Sequence, residues 1–484
     1  MKRNVDKKRL AFILVAVCLV GLIGIGISYS YYLASISTSN EENKNSNITT
    51  TTITNVVMDM QGKVSSDGAY PGHKMVKEVV VRGIGESNSI PANASIKITP
   101  DLGDFSEDVT WKLYKSEEAI TCSSTLHKEG NIYEESTCNI PVSATLELEG
   151  AADNAYKNIV VSPNTETKYY LVVEYLNKTD IDQSSQMGKS FSIDIGLGEK
   201  VPSMSDKITD LAKTDTVNLA TDDPDKNVRY IGADPSNYVY FNCSDYTNPT
   251  ADTCELWRII GVFNNITKSD GTKENLVKII RDESIGDIAW DSNNVNDWST
   301  ATLQQNLNSG TYYTTTLKND ITRNAIEEVV WNLGGIDADD TSTASMFYTA
   351  ERGTTVYSGR PTIWTGKVGL MYPSDYGYAT SGGATKDRAA CLAKELYSWD
   401  TRYSSDFSDC KGNDYLYNSS LNQWTLAPYS PYAFTVLYVY TGGNVLYNGA
   451  LNARAVRPSL FLKSSIMLDK GTGAKSNPYQ LKIS

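Results

Sequence analysis

Histidine is almost absent from this chain of 484 residues, which contains only His73 and His127. Metal sites built on several histidines and Ser-His-Asp triads need an imidazole that the C-terminal half of the chain does not have. Gly-rich phosphate loops, H-E-x-x-H motifs and G-x-S-x-G motifs are missing as well. We therefore predict no catalytic residue, no metal site and no small-molecule cofactor.

The chain also has no excess of positive charge. Lys and Arg number 44 against 57 Asp and Glu, so the formal net charge is −13 with neutral histidines. Proteins that bind nucleic acids carry basic patches, and this balance argues against such a partner. Hydrophobic residues make up 40% of the chain and charged residues 21%, which is typical of globular domains.

The N-terminus predicts a membrane anchor. Basic side chains dominate residues 1–9, and an uncharged apolar run follows from Leu10 to Ile27. As a helix this run rises about 27 Å, close to the roughly 30 Å hydrocarbon core of a bilayer. We predict a cytoplasmic segment at 1–9 and a single-pass transmembrane anchor at 10–32 in the cell membrane, with the rest of the chain extracellular. A cleaved signal peptide is the alternative, but bulky Tyr32 stands two positions before Ala34, the nearest candidate cleavage site.

The cysteines agree with an extracellular location. Beyond the apolar run they fall into sequence-local pairs: Cys122 with Cys138, Cys243 with Cys254, and Cys391 with Cys410. Fifteen pairings are formally open to six cysteines, and pairing of near neighbours is the simplest because each pair lies within one predicted domain. We predict these three disulfides. Free buried thiols are the alternative, which is less typical of exported chains.

The composition then changes along the chain. Residues 33–57 are polar and predict a stalk, whereas residues 58–200 contain short alternating runs typical of strands. In one of them Tyr169, Leu171, Val173 and Tyr175 occupy alternate positions. We predict an all-β sandwich of immunoglobulin-like type. The loop that contains Asp101, Asp104, Glu107 and Asp108 is either a solvated acidic loop or a calcium site. An intramolecular isopeptide bond is a further alternative for this domain.

A linker is predicted at 201–227, followed by an α+β domain at 228–484. A hairpin is expected at 256–262 and 276–280, and helices at 300–307, 321–331 and 386–399. Strands are expected at 423–426, 434–440, 445–447, 455–462 and 479–483.

This domain carries an ordered set of motifs: Trp257-Arg258-Ile259-Ile260-Gly261, 370–376, Trp424-Thr425-Leu426-Ala427-Pro428, Val456-Arg457-Pro458-Ser459-Leu460 and Asn477-Pro478-Tyr479. Together they resemble a domain of unassigned function in membrane-anchored surface proteins of Gram-positive bacteria. That domain is similar in turn to the C-type-lectin-like fold of formylglycine-generating enzymes and of the variable receptors of diversity-generating retroelements. The resemblance covers residues 228–484 and the preceding layout of anchor and sandwich.

The resemblance implies a binding domain without chemistry of its own. Formylglycine-generating enzymes rely on a closely spaced cysteine pair near the domain end, whereas Cys391 and Cys410 are 19 positions apart and no cysteine follows. The Glu-Pro-Asn, Gln-Pro-Asp and Trp-Asn-Asp triplets of calcium-dependent lectins do not occur. We therefore expect a non-catalytic ligand-binding or adhesion protein.

Aromatic and amide residues near the C-terminus are the candidate ligand-binding residues: Trp424, Tyr429, Tyr432, Asn444, Tyr447 and Asn448. Tyr and Asn combine large contact area with adaptable hydrogen bonding, as in antibody loops. The expected partner is an extracellular protein or glycan. Two alternatives remain: a structural subunit of an envelope layer or fibre, and a glycan or cell-wall hydrolase that uses two carboxylates from among Asp282, Glu283, Asp287, Asp291 and Asp375.

Overall fold

The structure is a computed structural model that describes residues 51–53, 56–61, 70–85, 91–123, 128–129, 132–133, 135–152, 154–178, 182–186, 189–405 and 407–483. Contacts between residues divide the chain into two compact units. The first unit ends at Val201, and the second runs from Pro202 to Ile483. The described residues are predominantly β-structure, arranged in several sheets, with short helices confined largely to the second unit.

The predicted cytoplasmic segment 1–9 and anchor 10–32 lie outside the described residues. Within the residues that are described, no helix has the length and apolar character needed to cross a bilayer. The predicted stalk 33–57 is described only at its end, where Thr51–Ile53 (β1) pairs with Val56–Gln61 (β2). Because β2 pairs in turn with Lys74–Gly83 (β3), these last residues belong to a sheet of the first unit and not to a stalk.

The first unit continues with further strands. They are β4 (Ala92–Asp101), β5 (Val109–Lys115), β6 (Thr121–Cys122), β7 (Lys128–Glu129), β8 (Ile132–Tyr133), β9 (Cys138–Asn139), β10 (Thr145–Gly150), β11 (Ala155–Val161), β12 (Glu166–Tyr175) and β13 (Ser192–Glu199). One sheet has the order β1-β2-β3-β12-β5-β10, and a second has the order β11-β4-β13. Neighbouring strands in both sheets are antiparallel.

The two sheets of the first unit share one hydrophobic core. Val79 and Leu171 contribute from the first sheet, and Ile96 and Ile195 from the second. The predicted alternation in β12 is confirmed, because Tyr169, Leu171, Val173 and Tyr175 all belong to this core. The opposite face of β12 is covered as well: Tyr170 and Val172 pack with Ile120, beside the Cys122–Cys138 disulfide.

Residues 202–227 are part of the second unit, unlike the predicted linker. The helix Met204–Leu211 (α1) starts at a capping box in which Ser203 and Asp206 satisfy each other's backbone N–H groups. Its Met204 and Ile208 side chains enter the main core of the unit. Asp223 is fully buried and binds Arg229. These contacts bind the segment to the unit, so it does not act as a spacer.

The strands of the second unit form several sheets. They are β14 (Leu219–Ala220), β15 (Val228–Tyr230), β16 (Tyr238–Phe241), β17 (Glu255–Thr267), β18 (Lys273–Arg281), β19 (Asp287–Ala289), β20 (Val329–Asn332), β21 (Ile363–Gly366), β22 (Val368–Gly369), β23 (Gln423–Pro428), β24 (Thr435–Val439), β25 (Val445–Gly449), β26 (Ala453–Ala455), β27 (Ser459–Leu462), β28 (Met467–Lys470) and β29 (Gln480–Lys482). The largest sheet has the order β14-β15-β17-β18-β27-β22, with β16 also on β17. A second sheet has the order β19-β26-β23-β24-β25, and β20-β21 and β28-β29 form two-stranded antiparallel pairs.

The helices are short. Besides α1 they are α2 (Thr302–Asn308), α3 (Asp320–Ala325), α4 (Ala344–Glu351), α5 (Pro373–Tyr378) and α6 (Arg388–Leu392). Single helical turns occur at Gly103–Phe105, Ser184–Gln186, Trp298–Thr300, Tyr312–Thr316 and Leu396–Trp399. The predicted helix 321–331 is wrong in its second half, because β20 pairs with β21 there and Trp331 lies opposite Trp364.

All three predicted disulfides are confirmed: Cys122–Cys138, Cys243–Cys254 and Cys391–Cys410. The first lies in the first unit and joins β6 to β9. The other two lie in the second unit, where Cys243, Cys391 and Cys410 are fully buried. Each bridge closes a local loop, as the pairing of near neighbours predicts.

Candidate functional site

Three of the predicted ligand-binding tyrosines meet at one edge of the second unit. The rings of Tyr429 and Tyr447 stack in parallel with centroids 4.1 Å apart. Tyr432 lies 5.9 Å from the first ring and 6.2 Å from the second, and Phe434 lies 6.0 Å from Tyr432. Tyr432, Phe434 and Tyr447 expose 46%, 44% and 39% of their surface. Their rings are therefore open to a partner.

The sheet β19-β26-β23-β24-β25 brings these rings together. Tyr429 directly follows β23, Tyr432 lies in the connection to β24, and Tyr447 lies in β25 at the edge of the sheet. The connection is held by the buried Asn296, whose amide donates to the carbonyls of Tyr432 at 2.8 Å and Thr435 at 3.1 Å. Because this connection is ordered before a ligand binds, it loses less conformational entropy on binding.

Tyr397 and Tyr403 form a second pair of tyrosines near this cluster. The sequence analysis did not identify them as candidate residues. The rings of Tyr397 and Tyr403 are 4.1 Å apart. The segment 336–342 connects the two pairs: Ser430 donates its backbone N–H to the Ile336 carbonyl, and Leu396 donates to the Ser342 carbonyl. Tyr429 adds a hydroxyl hydrogen bond of 3.3 Å to the Asp337 carbonyl.

Asp339 and Asp340 lie in this connecting segment, and their charges act on tyrosines of both pairs. Burial, with Asp339 as the next contributor, raises the pKa of Tyr429 to about 12. The hydrogen bond with Tyr403 chiefly raises the pKa of Tyr397 to about 12, and both carboxylates add to this rise. Only 6% of Asp339 is exposed, and burial raises its pKa. We call this set the tyrosine-aspartate surface: Tyr397, Tyr403, Tyr429, Tyr432, Phe434, Tyr447, Asp339 and Asp340.

The other predicted ligand-binding residues lie elsewhere. Trp424 is buried and donates its indole N–H to the Ile288 carbonyl at 3.0 Å. It lies opposite Tyr438, which lies opposite Leu446, so Trp424 shares the sheet face of Leu446 and not that of Tyr447. Asn444 is fully buried. Trp424 and Asn444 are therefore not part of the exposed surface.

Asn448 takes part in the turn after β25. Its amide oxygen accepts from the Asn452 amide at 2.6 Å and from the Gly449 backbone N–H at 2.7 Å. Successive strand residues point to opposite faces, so Asn448 faces away from the ring of Tyr447. We assign it a role in shaping the turn.

The carboxylates considered for a hydrolase have structural partners or lie apart from the tyrosines. Asp291 is buried and accepts backbone N–H groups of Asn293, Val295 and Thr302. Asp282 faces Arg258 across 3.8 Å. Glu283 and Asp287 are exposed.

Asp375 lies at the centre of a buried charge network. Its carboxylate accepts from Arg229 and from Lys278, each at 2.6 Å, and Arg229 also binds Asp223 at 2.8 Å. All four side chains are at most 1% exposed. The network joins β15, β18 and α5 in the interior, where it fixes the relative position of these elements.

The charge states in this network follow from its contacts. Burial acts to raise the pKa of Asp375, but Lys278 and Arg229 outweigh it and hold that pKa at about 2. Burial lowers the pKa of Lys278, whose ammonium group lies 4.4 Å from the Tyr372 ring centroid and 5.2 Å from that of Trp331. Opposite charge and aromatic faces together compensate for lost solvation. Asp375 is thus a structural counter-ion.

Glu351 is a further buried carboxylate near this network. It accepts from the Ser374 backbone N–H at 2.9 Å and from the Ser374 hydroxyl at 2.5 Å. Burial raises the pKa of Glu351 to about 7, although Arg352 and Ser374 act in the opposite direction. The charge of this group therefore changes near neutral pH.

The acidic loop considered for calcium is engaged by lysines. Asp104 pairs with Lys189 at 2.5 Å, and Asp108 pairs with Lys178 at 2.9 Å and accepts from Gln186. Across the described ranges, His, Cys, Asp and Glu side chains do not assemble in groups of three or more suited to a metal ion.

Comparison with known proteins identifies no relative. No protein-family model matches the chain, and no curated protein sequence is significantly similar to it. Function must therefore be argued from the geometry of the site.

Proposed function

We propose that the chain is a non-catalytic binding protein whose tyrosine-aspartate surface recognises an extracellular protein or glycan. The exposed cluster of Tyr432, Phe434 and Tyr447 carries this proposal. Large aromatic rings exposed together are uncommon on a surface without a partner, and tyrosine provides both apolar area and a hydroxyl group. The rigid connection around Asn296 supports recognition, because it presents the rings in one arrangement.

The proposed location is the outer face of a cell membrane, with the single-pass anchor 10–32 and an inside N-terminus. The three disulfides support an oxidising environment. We further propose that the first unit is an immunoglobulin-like sandwich and that the second has a C-type-lectin-like fold. Two antiparallel sheets over one core support the former, and the motif resemblance supports the latter.

A binding array of glycans and extracellular proteins, probed with the full-length protein, tests the proposed function. The wild-type protein is compared with a Tyr432→Ala, Tyr447→Ala double variant. Exposed aromatic anchors carry much of the energy of such interfaces, so we expect the double variant to lose affinity at least tenfold. The matched control is Ile321→Ala, which removes a half-exposed apolar side chain from α3, outside this surface. The proposal would be contradicted if the double variant bound the array ligands as tightly as the wild type and the Ile321→Ala control do.

A further inference from the structure

Two pairs of tyrosines flank the acidic segment of the tyrosine-aspartate surface. The hydrogen bond from Ser430 to Ile336 holds the Tyr429 side of the segment, and the bond from Leu396 to Ser342 holds the Tyr397 side. The segment between these anchors contains Asp337, Asp339 and Asp340. These backbone hydrogen bonds therefore place the acidic segment next to two tyrosine pairs that come from separate parts of the chain, and the charges of Asp339 and Asp340 act on tyrosines of both pairs.

Asp337, Asp339 and Asp340 differ from the buried Asp375 in their charge partners. In the part of the chain that the structure describes, none of these three aspartates forms an ion pair with a lysine or arginine. Arg402 lies 5.4 Å from the Tyr403 ring, but its guanidinium binds Asp400 at 2.6 Å. Arg402 thus has its own counter-ion, and Arg360, beside the Tyr432–Phe434 loop, donates to the Asn296 amide oxygen and the Ala433 carbonyl. The nearly buried carboxylate of Asp339 is stabilised by the backbone N–H groups of Asp339 and Asp340 and not by an ion pair.

Carboxylates beside tyrosine rings are complementary to a cation. The ring faces attract ammonium and guanidinium groups, and a nearby carboxylate adds a charge-assisted hydrogen bond. Buried Lys278 shows the same combination inside this protein, with Asp375 at 2.6 Å and the Tyr372 ring at 4.4 Å. The tyrosine-aspartate surface combines the same two kinds of group, aspartate carboxylates and tyrosine rings.

We propose that the tyrosine-aspartate surface binds lysine or arginine side chains of a basic segment in a protein partner. This inference rests on the proposed function and names its ligand class. A protein is favoured because the surface also exposes Phe434, an apolar contact suited to a polypeptide, and because tyrosine-rich faces are typical of protein recognition. The net charge of −13 assists the approach of a basic partner over longer distances.

Fluorescence anisotropy with the full-length protein tests this ligand class. The probes are a labelled peptide of alternating Lys and Gly and a matched peptide in which Gln replaces Lys. We expect the lysine peptide to bind at least tenfold more tightly, and its affinity to fall at least threefold between 50 and 300 mM salt because screening weakens exposed charge pairs. Equal affinity for the two peptides would overturn the inference.

Point variants then locate the interaction. Asp339→Asn removes the charge with little change of shape, and it should fold because burial disfavours the charged form of Asp339. We expect it to weaken binding of the lysine peptide at least fivefold, whereas Asp287→Asn, an exposed carboxylate on β19, should bind like the wild type. Tyr432→Leu should also weaken binding, while Tyr432→Phe should keep most of it because the ring is retained. Unchanged binding by Asp339→Asn and Tyr432→Leu, with wild-type melting temperatures, would contradict the assignment.

Sugar probes separate this inference from the proposed function. Glucosamine oligomers carry ammonium groups, and N-acetylglucosamine oligomers of the same length are neutral. Binding of the glucosamine oligomer but not of the lysine peptide would overturn the choice of a protein partner. Tyr432-dependent binding of a neutral glycan alone would leave the proposed function intact and refute the cationic ligand. Array binding that does not depend on the tyrosines would refute both.

Discussion

Glu351 is a buried residue whose protonation responds to pH in the neutral range, as is Asp414, whose pKa burial raises to about 6. The pKa of about 7 that Glu351 has in the folded protein lies above the ordinary value of 4.5. The folded state therefore keeps a proton that the unfolded state releases. Its contribution to the free energy of unfolding is largest at low pH and is lost as pH rises from about 4.5 to 7.

We predict that Glu351→Gln flattens the pH dependence of stability. The shift corresponds to roughly 3 kcal/mol that the wild type loses between pH 4.5 and 7 and that a neutral amide does not lose. Denaturant unfolding of both proteins at several pH values measures the difference. The control is Glu283→Gln, an exposed residue expected to keep the wild-type slope. A Glu351→Gln slope equal to that of the wild type would show that this carboxylate does not control the pH response.

At the scale of elements, the buried side chain of Asn296 helps to order the connection between β23 and β24. Asn296 is 2% exposed, and its amide donates to backbone carbonyls of Tyr432 and Thr435. The Thr435 carbonyl also accepts the Tyr429 backbone N–H, so the Asn296 amide matters most for the Tyr432 carbonyl. Asn296 therefore helps to position the exposed rings of the loop, although the sequence analysis did not identify it as a site residue.

We predict that Asn296→Ala destabilises the protein by about 1–3 kcal/mol, because it removes the donor that the Tyr432 carbonyl has in this structure. It should also weaken binding to any ligand of the tyrosine-aspartate surface, since the loop must then be ordered on binding. Denaturant unfolding and the anisotropy assay measure the two effects. Asn293→Ala, at an exposed position of the preceding turn, should change neither. Stability loss without any loss of affinity would show that loop order is unimportant for recognition.

At the scale of the whole molecule, the boundary of the second unit has experimental consequences. Met204 and Ile208 belong to the same core as Trp257 and Leu460, and Asp223 is a counter-ion of buried Arg229. A fragment that begins at residue 228 lacks all three of these N-terminal contributions. Removing one partner of a buried ion pair alone typically costs about 3–5 kcal/mol.

We predict that a fragment of residues 202–484 unfolds in one cooperative transition, whereas a fragment of residues 228–484 is strongly destabilised or does not fold. Thermal unfolding followed by circular dichroism compares the two. Adding Asp223→Asn to the longer fragment isolates the contribution of the ion pair and should lower its melting temperature. Equal melting temperatures for the two fragments would show that residues 202–227 are dispensable.

Local patterns were sufficient for the features that depend on neighbours in the chain. The alternation of Tyr169, Leu171 and Val173 predicted a strand with one face in the core, because the side-chain period of a strand is two whatever lies across from it. The disulfides followed from the spacing of their cysteines. Tyr429, Tyr432 and Tyr447 were chosen as candidate ligand-binding residues by composition, because tyrosine combines large contact area with hydrogen bonding, and their ligand binding stays a prediction.

The same patterns gave wrong predictions where pairing between distant strands determines secondary structure or burial. Residues 329–331 continue a helical periodicity, but β21 offers backbone hydrogen bonds and turns them into a strand. Trp424 is of a residue type that is frequent in binding sites, but the register of its strand places it in the core.

The sequence alone determined the strand periods, the cysteine pairing and the aromatic character of the C-terminal loops, because these properties reside in residues close together in the chain. Only the tertiary structure decided which tyrosines are exposed and which carboxylates accompany them. Tyr397 and Asp339 lie far from Tyr429 in sequence, and the hydrogen bonds of segment 336–342 bring them to one surface. Burial is a property of the whole packed unit, so no local pattern distinguishes the ion-paired Asp375 from Asp339, which backbone N–H groups stabilise.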